Sequence, residues 1–121
     1  MDFSLVVGIF SEHIEEKVLE TARSVGAHGV TILPAKGIGT RDRKTFFGLT
    51  YEGRQLVFLF IVERSLARKL VGAFTRILDL DQYSKGLVFT TRVEDVTGLD
   101  DAQRRRFAEL IGADSDKGEG A

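Results

Sequence analysis

The clearest chemical potential in the chain lies in Lys36-Gly37-Ile38-Gly39. Two glycines one residue apart leave bare backbone N–H groups free to approach an anion, and the lysine beside them adds positive charge. The same glycines at the exit of a strand would also simply permit a turn, so the spelling alone admits both readings. Elsewhere the chemistry is thin. With no cysteine, the chain has no disulfides, thiolate metal sites or cysteine nucleophiles. His13 and His28 are the only imidazoles, and neither has acidic neighbours at metal-ligating spacing, so both read as surface or turn residues. Glu94 and Asp95 are adjacent, and adjacent side chains on an extended chain point to opposite sides, which disfavours a shared proton. They read as the start of a helix. No catalytic residue and no metal site is assigned, and a non-enzymatic chain is expected.

Any site must sit on a small frame, because 121 residues make one domain and leave no room for a second core. The 43% apolar and 29% charged content is that of an ordinary globule rather than a disordered chain. Seventeen basic against eighteen acidic side chains give no electrostatic reason for a nucleic-acid partner or an anionic bilayer. The apolar runs are shorter than the ~20 residues a membrane helix needs, and Asp2 replaces the basic start of a leader, so a cytoplasmic location is expected.

Hydrophobic periodicity supplies the elements. Phe3 to Phe10 and Gln55 to Val62 are apolar on both faces and predict buried central strands. Ser11 is a candidate N-cap for a helix carrying Ile14, Val18, Ala22 and Val25 on one face and ending at Gly26. A strand is predicted from His28 to Leu33, with Pro34 at an edge or bulge because proline cannot donate to a ladder. Gly37 to Arg54 reads as a long loop or projecting hairpin. Ser65 is a candidate cap for a helix with Leu66, Leu70, Phe74 and Ile77 in a stripe; a turn over 79–86 and a strand from Gly86 to Val93 follow. Asp100-x-x-Gln103 has the form of a capping box and predicts a last helix to about Ile111, leaving 112–121 as a frayed tail.

The order β-α-β-β-α-β defines an α+β, ferredoxin-like sandwich over 1–111, with right-handed crossovers placing both helices on one sheet face. Two helices cover only that face. Phe58 and Phe60 oppose Val57, Leu59 and Ile61, so the other face is also apolar and predicts an oligomer.

The same elements carry a resemblance. Gly29 to Gly39 (GVTILPAKGIG), Ile61 to Phe74 (IVERSLARKLVGAF) and Lys85 to Val96 (KGLVFTTRVEDV) resemble the strand leading to the T-loop, the third strand with the second helix, and the B-loop exit with the fourth strand of the PII family of nitrogen-regulatory, signal-transducing proteins. The likeness spans about residues 3–96 and is closest to a divergent, PII-like branch. It implies a homotrimer packed through its sheets, with adenine-nucleotide sites in the clefts between subunits. In that register Thr31 would approach the adenine, Gly37 and Gly39 would bring the T-loop base against the nucleotide, Lys36 would lie nearby, and Gly86 would lie beside the phosphates. The effector would be ADP, AMP or ATP. The T-loop, about 40–54 and shorter than the family's standard, would change shape with ligand and dock on a membrane transporter or a metabolic enzyme.

This chain departs from that pattern at three places. Lys85, the counterpart of the family's phosphate-binding lysine, stands about two positions early, after Leu80-Asp81-Gln82-Tyr83-Ser84. The basic pair that follows the family's fourth strand is replaced by Thr97-Gly98-Leu99-Asp100. Arg104-Arg105-Arg106 is either a solvated helix face or a substitute for that pair. Tyr51 lies outside the family's modification context. Phe46 and Phe47, with Arg41, Arg43 and Tyr51, form either a docking patch or the loop's own packing, aromatic and arginine side chains being the usual interface anchors. The rival readings are a CutA-like trimer handling a small ligand or metal, or a pure interaction module; RNA binding is disfavoured because the central strands lack the basic-aromatic pattern.

Overall fold

A computed structural model describes residues 1–40, 49–80 and 86–119 of the chain. The elements are β1 (Phe3–Ser11), a 3-10 turn (Glu12–Ile14), α1 (Glu15–Ser24), β2 (Thr31–Thr40), β3 (Leu49–Glu63), α2 (Arg64–Leu80), β4 (Leu87–Val93) and α3 (Asp101–Glu119). The sheet is antiparallel throughout, in the order β2-β3-β1-β4. The two strands with apolar residues on both faces, β1 and β3, are the inner ones. Pro34 falls on the edge strand β2, where a missing N–H is tolerated.

Strand alternation sorts the side chains. Val6 and Phe10 of β1 and Phe58, Phe60 and Val62 of β3 turn to the helices and are buried with Val18 and Ala22 of α1 and Leu66, Leu70, Phe74 and Ile77 of α2. Phe74 is the hub, meeting Phe10 edge-on at 5.3 Å between centroids and Phe60 at 5.6 Å. Aromatic pairs in such geometry add stabilisation beyond their buried area. On the opposite face, the side chains at Leu33, Ile61, Leu87 and Phe89 are 46%, 41%, 56% and 45% exposed.

Several local expectations are corrected. Ser65 does not cap α2; Glu63 does, its carboxylate accepting from the Ser65 N–H at 2.9 Å and from the Ser65 hydroxyl. A carboxylate suits the positive end of a helix dipole better than a hydroxyl does. Ser11 makes no side-chain cap and instead meets Nδ1 of His13 at 2.8 Å. β2 starts at Thr31 rather than His28, and α2 runs through Asp79 and Leu80 where a turn was predicted. Residues 94–100 form no helix, so Glu94 and Asp95 do not start one. The capping box is present reciprocally, with Gln103 N–H donating to Asp100 Oδ1 at 2.7 Å and Asp100 N–H to Gln103 Oε1 at 3.0 Å. From it α3 continues to Glu119, eight residues beyond Ile111, because each residue added to a nucleated helix gains a hydrogen bond.

Between 37 and 54 the hairpin alternative holds for the described backbone: Ile38 pairs with Tyr51, Gly39 with Thr50 and Thr40 with Leu49. Arg41, Arg43, Phe46 and Phe47 lie outside the described residues, as does Lys85.

Candidate functional site

Lys36 and Gly37 sit where the β2–β3 register slips between Lys36 and Ile38, a bulge that re-aims the strand as it leaves the sheet. A Cβ on Gly37 would stand 2.4 Å from Oε1 of Gln55, the end of a side chain that can turn aside. Lys36 is exposed and pairs across the ladder with exposed Arg54. With Glu12 and Gln55 these side chains border a shallow groove of about 400 Å³, where two cations face one carboxylate. That groove has the charge to take an anion.

Gly86 lies at the same end of the sheet but on the opposite edge, just before β4. A Cβ there would meet the Ile9 carbonyl oxygen at 2.5 Å and Leu78 Cδ2 at 2.9 Å. Close backbone approach alone therefore demands glycine. β2 and β4 are three strand spacings apart, roughly 14 Å, too far for one phosphate to touch both within a chain.

Thr31 occupies a third corner. It is exposed at the start of β2, five residues from Lys36, roughly 17 Å along an extended strand. It borders a groove of about 420 Å³ between the open sheet face and α3, with an apolar floor from Leu59, Ile61 and Phe107 and a polar rim that includes Gln103 and Arg106. Gln103, Arg106 and Phe107 share one helical face, which singles out Arg106 from the three consecutive arginines. His28 also borders this groove, a placement that its sequence context gave no sign of. The chain thus brings Thr31 to Arg106, and Lys36 and Gly37 to Arg54, while keeping these two sets and Gly86 apart.

Among the described residues no group of three or more His, Asp or Glu side chains is placed to hold a metal ion, and no helix is long and apolar enough to cross a membrane.

The family model for nitrogen regulatory protein P-II matches residues 3–102. No curated protein matches the chain. Among solved structures, the B. subtilis GlnK–ATP complex is similar at 14% identity, covering 81% of this chain and 89% of that one with a TM-score of 0.65. B. subtilis GlnK is similar at 15% identity, 78% and 87% coverage and a TM-score of 0.60. A DUF3240 family protein from Shewanella baltica is similar at 12% identity, 81% and 97% coverage and a TM-score of 0.58. These likenesses are ones of fold.

Proposed function

The chain belongs to the nitrogen regulatory protein P-II family, and from that membership we propose that it is a non-enzymatic sensor whose copies form a ring of three and bind an adenine nucleotide at their seams. The observation that carries this reading is the open sheet face, where Leu33, Ile61, Leu87 and Phe89 are all large, apolar and about half exposed. Apolar surface gathered on one face is the usual mark of an interface. Placing such faces together also gives the separated corners a purpose: Thr31 with Arg106, Lys36 with Gly37, and Gly86 can close around one compact group of a ligand only when they come from different copies.

Occupancy would be transmitted through the β2–β3 hairpin. A ligand shifts an equilibrium only by its difference in affinity for the two states. Lys36 and Gly37 lie at the bulge that sets the angle of the arm, so a ligand held there favours one arm direction, and the 40–54 segment presents that choice to a transporter or enzyme. A GlnK–ATP complex shares the fold, which puts ADP, AMP and ATP first in the panel.

Calorimetry against these nucleotides tests the reading. At least one should bind, and Arg106→Ala should weaken it about tenfold or more, since a charged hydrogen bond contributes roughly 1.5–3 kcal/mol. Silence across the panel would remove the nucleotide while leaving the ring to be judged by its mass.

A further inference from the structure

A second charged region lies on the helix-covered side, away from the open face. Arg64, Arg68 and Val71 form one row of α2, at spacings of four and three residues, and they face Thr90 of β4 across a furrow of about 360 Å³. Arg92, next on the same face of β4, borders an adjoining hollow of about 270 Å³ that shares Ser4 and Arg64. The three guanidinium groups are exposed and make no ion pair among the described residues. Asp2 and Glu94 border only the adjoining hollow, so the furrow itself has no carboxylate on its walls.

Exposed arginines alone would be a solvated helix face. Ser4 separates this place from that reading. It sits on β1 between Val62 and Arg92, in the same alternating set as Val6 and Phe10, so its side chain lies on the helix-covered face. It is 8% exposed, the one polar residue among the buried set, and its hydroxyl has no hydrogen-bond partner among the described residues. Buried polar groups in folded proteins are almost always paired. Ser4 lines both the furrow and the adjoining hollow, and Thr90 lines the furrow with it.

We propose that this furrow between α2 and β4 is a binding site for a compact phosphate-class anion, held by the Arg64 and Arg68 guanidinium groups and the hydroxyls of Ser4 and Thr90, with Arg92 at its margin. Guanidinium forks match the oxygens of a tetrahedral anion and stay charged at every working pH. The hydroxyls supply further donors, where a lysine-only patch would supply none. Because the site lies opposite the open sheet face, it does not depend on assembly or on nucleotide at the seams.

The test follows backbone amides by NMR while inorganic phosphate and, separately, glycerol 2-phosphate are added to the full chain at constant ionic strength in chloride. Saturable shifts at Ser4, Ala67, Arg68, Thr90 and Arg92 are expected, and the tighter of the two compounds identifies free phosphate or an organic monoester as the source. Arg64→Ala with Arg68→Ala should weaken binding at least about tenfold, the loss of a charged hydrogen bond or more. Arg76→Ala, on α2 but off the furrow, should leave it unchanged. Ser4→Ala removes the buried hydroxyl with little change in volume and should weaken binding while the fold persists. Equal affinity in the double arginine variant, or shifts confined to Lys36 and Gly37, would overturn the site.

Discussion

The two faces of one sheet are built from the same strands and have opposite fates. Toward the helices, Phe58, Phe60, Val6 and Phe10 are sealed under α1 and α2; on the other side Val57, Leu59, Ile61 and Leu87 are just as apolar and only partly covered. The first face answers to the stability of one chain. The second leaves about half of each large side chain at Leu33, Ile61, Leu87 and Phe89 in water, and it is there that the proposed assembly would find its contacts. Hydrophobicity alone thus does not tell the faces apart; what differs is the cover, α1 and α2 sealing one face while α3 reaches the other at Phe3 through Phe107.

The sharpest way to break the contrast is at the covered face. Phe74→Ala removes the ring that meets both Phe10 and Phe60, and should cost roughly 3–5 kcal/mol of unfolding free energy in urea. Gly86→Ala should cost less, on the order of 1–3 kcal/mol, because the added methyl meets a backbone carbonyl that cannot turn aside. Gly37→Ala meets only the end of the Gln55 side chain and should stay below about 1 kcal/mol, so the ordering of the two glycine variants is itself a check by denaturation. On the open face, Ile61→Thr with Phe89→Thr keeps strand-forming residues and gives up only part of the burial of each side chain, so it should cost a single chain less than Phe74→Ala, yet abolish association in light scattering. A parent protein that scatters as a lone chain at micromolar concentration would remove the distinction between the faces.

Most of the frame was legible because its signals are redundant. The doubly apolar Phe3–Phe10 and Gln55–Val62 segments could only be inner strands, Pro34 was restricted to an edge or a bulge and lies on the edge strand, and Asp100 with Gln103 formed the box their spacing predicts. The two misplaced caps share a cause: each turned on which nearby group takes the hydrogen bond at a helix start. Glu63 outcompetes Ser65 at α2, and Ser11 goes to His13 instead of its own helix. The end of α3 was illegible because polar residues without periodicity fit a coil and a solvated helix equally well. At the candidate site, Thr31, Lys36, Gly37 and Gly86 could be named from the chain, but their dispersal to three corners required the strand order. Arg106 could be chosen from its neighbours only through the phase of α3 relative to Phe107. Ser4 gave no sign at all, since a serine among valines is ordinary until its burial is known.

Pro34 has one more consequence. An open sheet with bare edges invites further strands to add on, and repeated addition makes fibres. A proline in the outermost strand offers no N–H to such a newcomer, and Arg92 and Glu94 put charge at the end of the other border. Growth by backbone zippering is thereby discouraged at both borders, which leaves the side chains of the open face as the surface on which the proposed assembly would form.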